Sequence, residues 1–381
     1  MNNNSSNNSY GIRLAANLVS ISLIITLLYT LQTVLVPLMF SIIIAIILYP
    51  VARFLERGRL GKAFAAIIAV IFGAIVMFGL LWFIVHQVIV IGTNGADLQT
   101  KFIAIFDTIQ QWISDQFGIQ PSEQMERLKL QGNDVVANAG SYAAAAFGSL
   151  GGILGGAVLV PIFSFFLLYY RVFFREFFFR AFHSTPKEKV DQTLNKIYDV
   201  VQSYLLGLLT VMGIVAVLNS VGLWVMGVEY AWFFGTLASL LMLLPYIGIA
   251  IGSILPAIFA LATKDSYWYA VGVIAWFQVV QFLEANIITP NIVGGKVSIN
   301  PLMAIISIIL GGMLFGMAGL ILALPVTATI KVLFDATPET QPFGFLIGEP
   351  EKRHLKRFSL STLKKKWKVG NKGKPDEDHF N

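Results

Sequence analysis

WFFGTLASLLMLLPYIGIAIGSILPAIFALA (Trp232 to Ala262) and PLMAIISIILGGMLFGMAGLILALPVTATIKVLF (Pro301 to Phe334) are the two stretches that decide how this chain is organised. Each exceeds the roughly 20 apolar residues that carry a helix across a bilayer core. Each is also interrupted near its middle by residues that disfavour a helix. The first has Pro245, Gly248 and Gly252; the second has Gly311, Gly312, Gly316 and Gly319. The charges outside them fix which side each end occupies, because short basic loops stay in the cytoplasm. Pro301 to Phe334 runs from Lys296 to Lys331 and a basic tail, so it begins and ends inside. With an external turn at Thr263, Lys264 and Asp265, Trp232 to Ala262 begins and ends outside, and Tyr267 to Ile288 brings the chain back. Two re-entrant helical hairpins in inverted orientation are expected. Irregular backbone at such depth is tolerated only when it is buried in protein or lines a watery cavity.

The rest of the chain agrees with lipid as its solvent. Of 381 residues, 56% are hydrophobic and only 13% charged, against about 25% charged in a soluble domain, and mean hydropathy is +0.73. There is no cysteine, which removes disulfides, thiolate metal sites and cysteine catalysis. The expected fold is all-α, a polytopic helical membrane protein of about eight membrane segments. Residues 1–13 form a polar, disordered N-tail, 14–334 a membrane transport domain, and 335–381 a basic cytoplasmic tail. Leu14 to Val36 and Pro37 to Ala52 are two apolar runs with the break expected at Pro37, which lacks an N–H. Arg53, Arg57, Arg59 and Lys62 then mark the inside, and Ala63 to Ile91 leads out. Residues 93–142 form an extracytoplasmic helical insertion, with Leu98, Phe102, Ile105, Ile109 and Trp112 at helical spacing. The next span carries Gly148, Gly152 and Gly156 every four residues, a pattern for close helix packing within or between subunits. Residues 171–202 read as a cytoplasmic interfacial and amphipathic helix, with Thr185 as cap and Pro186 at the first position. Residues 203–334 form an inverted-repeat half, span plus hairpin followed by the same unit upside down, which is a plan shared by many secondary transporters.

Ionisable groups inside membrane segments are expensive and usually functional. In FQVVQFLEANIITPN, Gln278, Gln281 and Glu284 are spaced three apart on one helix face, with Asn286, Pro290 and Asn291 following. A carboxylate, amides and carbonyls freed at Pro290 could coordinate Na⁺ or bind a polar solute, and a carboxylate at that depth can also carry a proton. The alternative is that Glu284 pairs with Lys296 or lipid headgroups. Asn219 and Ser220 occupy the equivalent region of the first repeat, as ligands or as helix-packing groups. His86 reads as interfacial. Lys364, Lys365, Lys366, Trp367 and Lys368 suit anionic-lipid contact; nucleic acid is not an expected partner. HExxH, GxSxG and Walker A motifs are absent and the histidines have no metal-ligand spacing, so no enzyme, no resident metal and no cofactor are expected.

LLPYIGIAIGSILPAIFAL (Leu243 to Leu261), QFLEANIITPNIVGGKVSINPL (Gln281 to Leu302) and ILGGMLFGMAGLILALP (Ile309 to Pro325) resemble the autoinducer-2 exporter (AI-2E) family, with matching element order over roughly Leu14 to Phe334. The resemblance implies an oligomeric bacterial inner-membrane transporter of eight segments that exports small signalling molecules, some members being Na⁺/H⁺ antiporters. Pro245, Tyr246, Gly248, Glu284, Asn286, Pro290, Gly295, Pro301, Gly312, Gly316, Gly319 and Pro325 fall on family pattern positions. Ile249 and Ala250 stand where many members have a proline. Asn300 stands where many have a histidine, which removes a proton-handling group.

The expected function is secondary transport, with export of a small polar solute or signalling molecule by alternating access coupled to H⁺ or Na⁺. The candidate binding residues are Glu284, Asn286, Gln281, Gln278, Asn291 and Asn219. The candidate hairpin and gate residues are Pro245, Tyr246, Gly248, Gly252, Gly311, Gly312, Gly316, Gly319 and Pro325, with Pro290 as a helix break. The expected partners are the bilayer, a small solute or ion, and further copies of the chain. The expected location is the bacterial inner membrane, with both termini cytoplasmic. A Na⁺/H⁺ antiporter, an ion channel and a non-transporting scaffold are the rival readings.

Overall fold

A computed structural model describes residues 4–93, 151–243, 247–293 and 298–350. The insertion after Thr93, Gly148 and the tail beyond Pro350 lie outside the described residues, as do Pro245, Tyr246, Gly295 and Lys296. Everything regular among those described is helical: α1 Asn4–Thr30, α2 Gln32–Arg57, α3 Lys62–Thr93, α4 Gly151–Tyr169, α5 Arg171–Ala181, α6 Lys187–Val225, α7 Ala231–Leu241, α8 Ile247–Thr263, α9 Trp268–Leu283, a π-turn Glu284–Ile288, α10 Thr289–Ile292, α11 Pro301–Ala336 and α12 Gln341–Ile347. Among the described residues, five helices are long and apolar enough to cross a membrane, or six if the bent pair α4–α5 counts as one span. Their outward faces are apolar too: Phe64, Ile75 and Trp82 are about two-thirds exposed (66%, 66% and 67%). Side chains of that kind need lipid around them.

The first helix break falls at Leu31, not at Pro37. Leu31 N–H still donates to the Leu27 carbonyl, and Leu35 N–H to that of Leu31, so α1 runs end to end into α2. A single linking residue is too short to fold two helices side by side. Pro37 instead lies buried in the second turn of α2. There Ser41 Oγ donates to the Pro37 carbonyl at 2.6 Å and lies 3.2 Å from that of Val160, while Ser164 Oγ donates to the Ser41 carbonyl at 3.3 Å. Small residues dominate this α2–α3–α4 core, with Ala45, Ala52, Ala65, Ala66 and Ala69 all buried. Water-driven burial does not hold helices together in lipid, so close backbone approach and interhelical hydrogen bonds must.

At one end of this bundle α4 bends by 69° into α5 at Tyr170. Arg171 pairs there with Glu56 of α2 and lies over the Tyr49 ring, 5.3 Å from its centroid. Tyr198 of α6 meets Tyr49 edge-on at 5.2 Å. The amphipathic stretch and the following span form one helix, α6, of 39 residues. It begins one residue later than expected, with Pro186 in the extended cap position and no side-chain cap from Thr185. At 1.5 Å per residue it is about 58 Å long, roughly twice a bilayer core.

Two helical hairpins flank α6. In the first, α7 and α8 are about 16 and 25 Å long. They pack antiparallel: Gly248 lies against the Leu241 carbonyl, Gly252 against Ala238, and the Phe259 ring 5.1 Å from Phe234. In the second, α11 doubles back on itself at Phe315 and Gly316, where Gly316 has φ +59° and ψ −137°, a left-handed conformation suited to glycine. The arms then meet backbone to backbone. A methyl group on Gly319 would sit 1.8 Å from the Gly311 carbonyl oxygen, and one on Gly311 2.5 Å from that of Gly319. The hairpins point in opposite directions. The open end of the first packs with Phe83, Ile84, Val88 and Ile91 of α3. The open end of the second is clamped at the other end of the molecule. There Asn300 caps α11 by accepting from Met303 N–H at 2.9 Å. Its amide nitrogen donates to the carbonyls of Leu346, Ile347 and Gly348 at 2.7, 3.1 and 3.1 Å. The Asn300 N–H adds a bond to the Ile347 carbonyl at 2.9 Å. Position 300 is therefore the fastening of α12 across the hairpin base.

Gly319→Ala should cost roughly 1–3 kcal/mol by overpacking, read as a lower melting temperature of the purified protein in detergent. Gly79→Ala, where no other group lies within 4 Å of the added methyl, should leave it unchanged.

Candidate functional site

α9 runs antiparallel to α6, and a glycine sets how close they come. The Trp276 ring occupies the space where a Gly222 side chain would be, and its Nε1–H donates to the Leu218 carbonyl at 3.1 Å. Further along, Val280 of α9 is buried against Val211 and Val215 of α6. At this level the hydrogen-bond ladder of α9 widens into the π-turn, where Thr289 N–H reaches the Glu284 carbonyl five residues back. Pro290 follows at once, and it has no N–H to continue the ordinary ladder. The π-turn and α10 carry the helix past it to Ile292.

The turn serves the carboxylate. Glu284 is buried at 7% exposure, and each of its oxygens has a partner: Gln281 Nε2 donates to Oε2 at 2.8 Å, and Thr289 Oγ1 donates to Oε1. In a regular α-helix residues five apart do not share a face; the π-turn brings Thr289 round to Glu284. Hydrophobic Met242, at the tip of the first hairpin, packs with Ile288 and Ile292 against the same buried valines. The carboxylate thus lies in the turn that joins α9 to α10, at the level of that tip. Its unpaired lone pairs can accept a proton, a cation or a donor group of a solute.

The other expected site residues divide. Gln278, Asn286 and Asn291 are exposed. Asn286 Nδ2 bonds the Phe282 carbonyl at 2.9 Å and Asn291 Nδ2 the Ile287 carbonyl at 2.7 Å, each satisfied by its own helix. Asn219 and Ser220 are buried on α6, and Asn219 Oδ1 and Ser220 Oγ have no hydrogen-bond partner among the described residues. Ser220 backs onto Gly235 of α7, with room for no side chain between them. Pro325 is buried in the second arm of α11, where Thr329 Oγ1 donates to its carbonyl at 2.9 Å. His86 stacks on Trp82 at 5.1 Å. Thr289 is the member that the spacing of polar residues missed; a hydroxyl five residues after a buried carboxylate and just before a proline is the signal. Among the described residues, no three His, Cys, Asp or Glu side chains converge as metal ligands.

Comparison with known proteins places this geometry in context. The model of the AI-2E family transporters matches residues 18–339. The chain is 27% identical over 316 residues to "Putative transport protein YrrI" of Bacillus subtilis, covering 79% of this chain and 86% of that protein. It is 26% identical over 334 residues to "Putative transport protein MT0215" of Mycobacterium tuberculosis, covering 84% and 89%. A shorter similarity, 28% over 125 residues, links it to "AI-2 transport protein TqsA" of Escherichia coli, over 33% of this chain and 36% of that one.

Thr289→Val should leave a buried Glu284 oxygen unpartnered and cost about 1–3 kcal/mol. Asn286→Ala and Asn291→Ala should stay within about 0.5 kcal/mol of the parent. Thermal melting of the three variants in one detergent checks the order.

Proposed function

The chain belongs to the AI-2E family of transporters, and on that footing we propose that it is a secondary transporter working by alternating access. The observation that carries the reading is the pair of oppositely directed hairpins on one long helix, with a buried carboxylate at the level of the first tip. The hairpins act as gates, each entering the membrane without crossing it. Their first three arms, at about 16, 25 and 21 Å, are shorter than the roughly 30 Å core. Glu284, held by Gln281 and Thr289, takes the coupling ion, H⁺ or Na⁺, or a donor group of a small polar cargo. Asn219, whose oxygen is unpartnered among the described residues, offers a further polar group at the level of Trp276, about 12 Å along α9 from Glu284, since a buried oxygen of that kind gains most from a bound donor or cation. The name of TqsA gives AI-2 transport for that protein, and we extend it here to export of a small signalling molecule.

We place the basic end of the molecule, with both termini, in the cytoplasm of a bacterium, from the positive-inside rule. The chain works as a homo-oligomer, and its Lys364 to Lys368 cluster rests on anionic lipid. A second reading, Na⁺/H⁺ exchange, draws on the same carboxylate, whose two oxygens can take a proton or a cation in turn.

In inverted vesicles, imposed pH or Na⁺ gradients should drive saturable flux, and Glu284→Gln should abolish the coupling while the protein still inserts. Gradient-independent flux in discrete current steps would establish a channel instead. No flux, with Glu284→Gln indistinguishable from the parent, would leave the scaffold reading. Single cysteines at Glu229 and Lys264 should be labelled from outside only and at Lys296 from inside only, which the cysteine-free chain makes simple.

A further inference from the structure

The basic end of α6 holds a feature that the transport reading does not use. A cavity of about 340 Å³ opens there between α6, the end of α11 and the start of α12. Lys189 and Lys196, two helical turns apart on α6, line one wall with Gln192 and Thr193; Asp335 and Gln341 face them. The four other described cations that have carboxylate partners at this end are Arg171 with Glu56, Arg175 with Asp191, Arg180 with Glu176, and Lys331 with Asp335. Lys189 and Lys196 have none among the described residues. Asp335, the one carboxylate in the wall, is neutralised by Lys331 at 2.7 Å. The cavity therefore carries a net positive charge together with uncommitted amide donors. Lysine is a strong point-charge binder of phosphate, and amides supply further donors to an anion with several oxygens.

We propose that this cavity binds a phosphate group, borne either by a soluble anion or by a lipid headgroup. A phosphate held there would join the lysines of α6 to Gln341 of α12, and α12 is the element that Asn300 fastens across the base of the second hairpin. The ligand would thereby tie the hairpin base to the long helix. The location suits either source: Lys189 and Lys196 lie in the part of α6 that precedes its apolar span, next to the aromatic and arginine-rich α5.

The test uses the full chain in nanodiscs. Inorganic phosphate is titrated calorimetrically into phosphatidylcholine discs against chloride at equal ionic strength. Separately, retention of phosphatidylglycerol is counted by native mass spectrometry in its mixed discs without phosphate. Lys189→Gln/Lys196→Gln is compared with Lys187→Gln/Arg57→Gln, which removes two exposed cations from the same end but outside the cavity. Losing two charge-assisted contacts should weaken binding about tenfold or more in the first pair and leave the second like the parent. Such a loss for inorganic phosphate assigns a soluble ligand; the same loss for phosphatidylglycerol assigns a headgroup. Absence of binding in both formats, or equal losses in the two variants, overturns the proposal. Flux plays no part in the readout, so failure here is separable from failure of the transport reading.

Discussion

Chain reversal within two apolar stretches is the constraint on which this architecture rests. A turn made in water can leave its N–H and C=O groups to the solvent, but one made at depth must satisfy or bury them within protein. The second hairpin meets that demand by contact. Gly311 and Gly319 present bare backbone to each other, and Gly316 takes the left-handed conformation that closes the turn. The first hairpin does the same with Gly248 on the Leu241 carbonyl and Gly252 on Ala238. Side chains at these four contact positions would wedge the arms apart and expose the polar groups. Two short antiparallel helical units then stand along α6.

The same economy of close approach organises the surroundings of Glu284. Gly222 lets Trp276 lie against α6, which sets α9 and hence the height of the π-turn. The π-turn, next to Pro290, brings Thr289 to the carboxylate. A carboxylate kept among valines would be costly without such partners. Here a local irregularity in the backbone supplies one of them, and the ordinary α-helical spacing supplies the other in Gln281.

Much of this was legible in the sequence, because the signals were local. Interrupted apolar runs marked the two stretches that double back, and a lone acid in an apolar helix marked Glu284. What escaped depends on contacts between distant segments or on a shift of helical register. Thr289 could not be placed beside Glu284 by a count of 3.6 residues per turn. Pro37 looked like a joint because proline breaks ladders, yet it is buried inside α2 and the joint is Leu31. Asn300 was marked only as a histidine missing from a family pattern. Its partners are the carbonyls of Leu346, Ile347 and Gly348, more than forty residues away, a distance over which composition and periodicity carry no information.

That clamp has a consequence for how the protein meets changes of acidity. An amide neither gains nor loses a proton across the range in which cells live, whereas an imidazole changes charge within it. With asparagine at position 300, the grip on the three carbonyls has the same strength in acid as in alkali. That grip is thus indifferent to protons, and any response to a proton gradient must arise at groups other than residue 300.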